Sequence, residues 1–150
     1  GRWRPTGLTM TLFELAQRFV GVAEITGEKD NPLIVWMLQL SNPEVQDDET
    51  PWCSGFINMC AWILRAPRSK SNAALSWLKV GQVKTLREAE LGDVIVLSRG
   101  HTPLAGHVGF FAGWADIAQT QIYLLGGNQA NAVTVAPFAA SRVIGVRRLT

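Results

Sequence analysis

Leu91-Gly92-Asp93-Val94-Ile95-Val96-Leu97-Ser98 is where this chain changes its period. Upstream, apolar residues return every three or four positions, as on one face of a helix. From Asp93 onward they alternate, or run in short stretches bounded by turn residues, as strands do. Residues 11–20 set Leu12, Leu15, Ala16, Phe19 and Val20 on one helical face, closed by Gly21. Asn31-Pro32 starts a second helix over about 33–40, with Trp36 and Leu40 facing inward, and Asn42-Pro43 stops it. A third begins near Thr50, and a short one is expected over 73–78. Downstream, strands are expected at 93–98, 106–112, 121–125, 132–135 and 143–149. Short links favour antiparallel neighbours. Helices first and strands afterwards predict an α+β fold, with N-terminal helices packed against an antiparallel sheet of about five strands. The length suits a single domain over 11–150, behind a loose arm at 1–10.

Composition narrows the function classes. With 47% hydrophobic and 17% charged residues the chain can build a core and is not a disordered segment. A net charge of +2 is too small to point to nucleic acid, and it tolerates an anionic target such as a bacterial wall. No apolar run reaches the roughly 18–20 residues that cross a bilayer, so no membrane insertion is expected. No charged-then-apolar leader is visible. The two cysteines, Cys53 and Cys60, fall on one helix about two turns apart, roughly 10 Å of rise, too far for a disulfide. Nothing in the spacing suggests zinc, and no metal or cofactor is expected.

The third helix carries the reactive candidate. In Thr50-Pro51-Trp52-Cys53-Ser54-Gly55-Phe56, Thr50 reads as the N-cap and Pro51 as the first helical residue, which sets Cys53 in the first turn. Unpaired backbone N–H groups and the positive end of the dipole would favour thiolate there. Taken alone, Cys53 could equally be an ordinary half-buried core cysteine. A cysteine nucleophile needs a base, and the base needs an orienting partner. There are two histidines. His101 lies in a turn-rich loop and reads as exposed. His107 opens the strand Gly106-His107-Val108-Gly109-Phe110-Phe111, where alternation sets His107, Gly109 and Phe111 on one face and Val108 and Phe110 on the other. The orienting group should come from the next strand, ending Leu124-Leu125-Gly126-Gly127-Asn128-Gln129. Asn128 is the first choice because it is in phase with Leu124 and Gly126, although it could instead be a turn residue in a left-handed conformation. Gln129 is second, facing the other way if the strand stays regular; failing that role it is a substrate-binding candidate. The Cys53 backbone N–H is the expected oxyanion donor. Trp52, Trp77 and Trp114 are candidate groove walls, with burial as the alternative for each. The acidic loop 44–49 reads as solvated, its spacing unlike that of a calcium loop.

Taken together, W-C-S-G-F at a helix start, L-G-D-V-I-V-L, G-H-V-G-F and G-G-N-Q resemble the CHAP family (cysteine- and histidine-dependent amidohydrolases and peptidases) and the related NlpC-type peptidases of bacterial cell walls. The early G-V-A-E-I-T-G with its following N-P is similar to the lead-in of a phage- and prophage-associated subgroup. The resemblance spans nearly all of 11–150. It implies a papain-like fold and hydrolysis of an amide bond in peptidoglycan, with Cys53 as nucleophile, His107 as base and Asn128 as third polar residue. Many members carry an acid two positions before that asparagine; here Gly126 stands there, so a Cys-His-Asn triad is expected. Some members bind calcium just before the cysteine, but Asp47, Asp48 and Glu49 match no defined pattern. The implied role is a phage or prophage endolysin, or an antibacterial effector. Such a protein would be made in the bacterial cytoplasm and act at the wall or periplasm as a monomer, with a holin or delivery protein as partner. The rival is a non-catalytic wall-binding or structural module on the same fold.

Overall fold

A computed structural model describes residues 10–27, 29–99 and 106–150. His101 and most of the N-terminal arm lie outside the described residues. The chain is α+β: three helices come first, and six antiparallel strands form one sheet.

The first helix, α1, spans Leu12–Gln17 and is capped by Thr11, whose hydroxyl accepts from the Glu14 N–H at 3.1 Å. It is shorter than the apolar pattern suggests. Val20 lies beyond it and is exposed, whereas Phe19 meets the Phe56 ring edge-on. Helix α2 spans Pro32–Gln39, with the Asn31 side chain accepting from the Leu33 N–H. Its buried residues are Ile34, Met37 and Leu38. Trp36 and Leu40 are only half-buried, and Trp36 packs edge-on against Trp62.

Helix α3 spans Cys53–Ile63, and every residue from Cys53 to Ala61 is buried. Covered on all sides, it lies between α2 and the sheet, so its buried polar groups need partners. Ser54 Oγ donates to the Ser71 carbonyl at 2.6 Å and accepts from Trp77 Nε1 at 2.9 Å. The Asn58 amide donates to Ser69 Oγ and the Ser71 carbonyl and accepts from the Lys70 N–H. These bonds tie the turn-rich stretch after α3 to the helix.

The strands are β1 Gln82–Lys84, β2 Val94–Ser98, β3 Gly106–Trp114, β4 Gln121–Gln129, β5 Ala132–Ala139 and β6 Val143–Arg148, in the order β1-β6-β2-β3-β4-β5. The short β1 escaped the sequence pattern. One face of the sheet, with Val94, Val96, Val108, Phe110, Leu125 and Val133, packs under the helices. The other carries Ile95, Leu97, Phe111, Ile122, Leu124 and Val146.

That second face is buried without a helix layer of its own, and the connectivity explains how. Residues 140–142 form a single 3₁₀ turn joining β5 to β6. Four strand spacings separate β5 from β6 in the sheet order, roughly 19 Å if the sheet were flat. The four peptide steps from Ala139 to Val143 reach at most about 15 Å, and less in a helical turn. The sheet must therefore curl until its β5 and β6 sides approach. Phe138 and Val143, on either side of the link, pack against the same core cluster.

Candidate active site

Cys53 is the first residue of α3, whereas the sequence pattern started the helix two residues earlier, at Pro51. The N-cap is Trp52, with no side-chain cap bond, and the first helical hydrogen bond runs from the Phe56 N–H to the Trp52 carbonyl. Thr50 does not cap; its N–H and hydroxyl both donate to Asp47 Oδ1. The N–H groups of Cys53, Ser54 and Gly55 precede the first helical bond, as the chemistry of an oxyanion would require.

Cys53 is buried, only 5% exposed. Desolvation is the largest influence on the thiol and raises its pKa above the ordinary value of 9.0. Backbone N–H groups of Val108 and Ser54 and the charge of Arg99 act the other way and do not overcome it. The expected bias toward thiolate at a helix start is thus corrected: burial outweighs the helix end, and the resting group is a thiol.

His107 is 3% exposed on β3, paired across the ladder with Leu97 of β2. Its ring stacks on Phe138 with centroids 5.3 Å apart, on the sheet face opposite the helix-covered one. The sulfur reaches β3 at the Val108 N–H, one residue along, and the Arg99 charge bears on both groups. Cys53 thus packs on the helix-covered face while the imidazole lies on the opposite one, the two groups meeting adjacent residues of β3 from different sides. Among the described residues no hydrogen bond joins sulfur to ring; the imidazole bonds to Gln129 instead, Nε2 to Oε1 at 3.0 Å.

That bond overturns the choice of Asn128. In β4, Gly126 pairs with Thr134 and Gln129 with Ala132, three steps against two, so β4 holds one extra residue there. Asn128 takes the left-handed conformation, φ 58°, and absorbs the bulge. Past the bulge the phase is inverted, and Gln129 emerges on the face that Asn128 would have used. Gly126 makes this possible, because a Cβ on it would lie 2.6 Å from Gln129 Oε1. Gln129, at 6% exposed, is a partner of the histidine and also lines the pocket beside it.

The glutamine also sets the tautomer. Its Nε2 donates to the Leu124 and Thr134 carbonyls at 3.2 and 2.9 Å and contacts Thr134 Oγ1 at 3.1 Å. Carbonyls only accept, so the amide nitrogen must face them and Oε1 must face the ring. His107 Nε2 then carries the proton, and Nδ1 keeps a free lone pair. Desolvation is the largest influence on this imidazole and lowers its pKa below 6.5; the Gln129 bond opposes it, and Arg99 and Arg142 add to it. The ring is a neutral base.

The tryptophans fall elsewhere. Trp52 and Trp77 are fully buried, bonded through Nε1 to Glu24 and Ser54, so neither is a groove wall. Trp114 is half-buried and packs edge-on against Phe111, seven residues and roughly 23 Å along β3 from His107. In the acidic loop, Asp48 is fully buried, not solvated, and its Oδ2 accepts from the Ile25 and Asn31 N–H groups. Asp47 closes a local turn on Glu49 and Thr50. Among the described residues no three His, Cys, Asp or Glu side chains converge as metal ligands, and no helix is long and apolar enough to cross a membrane.

A pocket of about 420 Å³ opens beside His107, lined also by Arg99, Gln129, Phe138 and Arg142. The sequence had not singled out either arginine; they meet because β2 pairs with β6, which sets Arg142 beside Ser98 and so next to Arg99. Compared with known proteins, the chain matches no family model and no curated protein.

Proposed function

We propose that this protein is a cysteine hydrolase, on a papain-like version of the α+β fold, that cleaves an amide bond in the peptide stem or cross-bridge of peptidoglycan. The observation that carries the proposal is the saturated Gln129 amide, which commits His107 to one tautomer with Nδ1 free; the N–H of Val108, the next residue of β3, acts on the Cys53 thiol. The motif resemblance to CHAP and NlpC-type enzymes supplies the substrate class.

In the proposed reaction Nδ1 takes the thiol proton as sulfur attacks the scissile carbonyl carbon. N–H groups at the start of α3 stabilise the oxyanion. The C–N bond then breaks, and the imidazolium gives its proton to the leaving amine. Water, deprotonated by the same nitrogen, attacks the thioester; the released sulfur recovers a proton. Gln129 is a positioning residue throughout. Because both groups rest neutral, proton transfer accompanies attack instead of preceding it. A phage or prophage endolysin is the role in best accord with the resemblance, and an antibacterial effector is the other.

The burial of Cys53, its place on the face opposite the imidazole, and the absence of a sulfur–ring hydrogen bond among the described residues favour the rival, a non-catalytic wall-binding module. The two separate on purified peptidoglycan. Wild-type protein is expected to release muropeptides with new amine and carboxylate ends, read by mass spectrometry, and Cys53→Ala or iodoacetamide-treated protein none. Equal release by Cys53→Ala defeats the assignment; tight binding with no release by the wild type establishes the module.

A further inference from the structure

The pocket beside His107 has a built charge. Arg142 donates from Nε to the Ser98 carbonyl at 3.1 Å, and its guanidinium carbon lies 5.6 Å from the Phe138 ring centroid. Phe138 in turn stacks on His107. Imidazole, phenyl and guanidinium thus form a contiguous series of stacked groups, which fixes a cation at a set distance from the proposed base. Arg99, exposed at the end of β2, lines the same pocket. None of the described lining residues is acidic, and among the described residues neither arginine forms an ion pair with a carboxylate. The terminal nitrogens of a guanidinium held by Nε are free for a planar, two-oxygen partner.

We infer that this pocket is a subsite for a carboxylate carried by the leaving-amine portion of the substrate. The inference rests on the hydrolase assignment for its direction: the base that protonates the leaving amine is His107, so the space that begins at His107 takes the amine side of the scissile bond. The substrate class is then narrower than an amide of the wall. It is an amide whose amine half bears a free acid within a residue or so of the bond, which the volume accommodates. Carboxamide in place of that acid removes the charge while keeping the shape.

Binding to Cys53→Ala protein tests this without turnover. The probes are the N-acetylated tripeptide Ala-Glu-Ala and its neutral partner, N-acetylated Ala-Gln-Ala amide, titrated by NMR with the Gln129 side-chain amide and the Arg142 Nε–H as reporters. The acid is expected to bind about tenfold or more tightly than the amide. Arg142→Gln should abolish the difference, and Arg142→Lys should retain part of it. Arg99→Gln, on an exposed side chain, should reduce it and keeps the test readable if Arg142→Gln does not fold. Equal affinity for the two peptides, or a preference that survives both glutamine substitutions, overturns the inference. Inorganic phosphate displacing the acid peptide at lower concentration reassigns the pocket to a phosphorylated ligand and overturns it too. Turnover of peptidoglycan without acid preference removes the subsite and leaves the hydrolase; acid preference without turnover by the wild type does the reverse.

Discussion

The two faces of the sheet are built from one set of strands, yet they do different work. Under the helices, Val96, Val108, Phe110 and Leu125 form an apolar floor, and contact is close enough that a Cβ on Gly127 would sit 2.7 Å from the Trp52 ring and 2.8 Å from Phe56 Cβ. Near its His107 end the opposite face holds an imidazole, an amide and two guanidiniums around open space. Cys53 belongs to the first face by packing, and the Val108 N–H, next in β3 to His107 on the second, acts on its thiol. Stability is concentrated where the helix lies, and polar function where no helix covers the sheet.

The sharpest way to break this contrast is to spoil the helix-side contact. Gly127→Leu should cost more than about 3 kcal/mol, because the new side chain meets a tryptophan ring and the Cβ of Phe56 instead of a flexible tip. Urea denaturation measures it, and a near-neutral result would mean α3 is not seated as described.

On the other face, Gln129→Leu should lower turnover by about 100-fold or more, because the ring loses its fixed tautomer. It also strips a donor from two carbonyls, so the pH profile is the more telling readout. In the wild type the acid limb of kcat/KM should lie below pH 6.5, since the pKa of His107 is lowered, by desolvation first. The variant's limb should move. A limb that stays put, with folding intact, would make Gln129 purely structural.

A smaller effect comes from Asp48. Desolvation acts to raise its pKa, yet the Asn31 and Ile25 N–H groups, with Asp30, hold it below 3.8. A depressed folded value means that the carboxylate stabilises the fold above the unfolded pKa and that this is lost as pH falls through the folded one. Asp48→Asn should therefore be less stable at pH 7 and should lose less on acidification toward pH 2 than the wild type, followed by thermal melts. Parallel melts at both pH values would count against it.

The least effect is expected from Cys60→Ala, about 1 kcal/mol of packing with turnover kept. Both cysteines are buried and have raised pKa values, but Cys60 has only its own backbone as a neighbouring donor, whereas Cys53 has Val108 and Ser54. Comparable loss of activity from substituting either one would erase the distinction between them.

Much of this was legible in the residues. The change of period at Asp93 marks where the helices give way to the sheet proper, and Thr11 and Asn31 cap the helices that they precede. The missed features are those that no local pattern encodes. β1 has three residues and exists only through pairing with β6. Phase arguments chose Asn128 because they assume an unbroken strand, and one residue at φ 58° inverts the outcome. The tryptophans could not be sorted, since burial depends on what lies across the core. Arg99 and Arg142 are 43 positions apart in the chain and share a pocket because β2 pairs with β6, a long-range pairing that no local pattern encodes.

The curl of the sheet is held by the turn at 140–142. Its length acts as a mechanical stop on the mouth beside the imidazole: adding a residue there would let the walls part, and removing one would draw them together, with no catalytic group altered. Changes in what the mouth admits would thus accumulate through insertions at one surface turn, leaving Cys53 and its helix untouched.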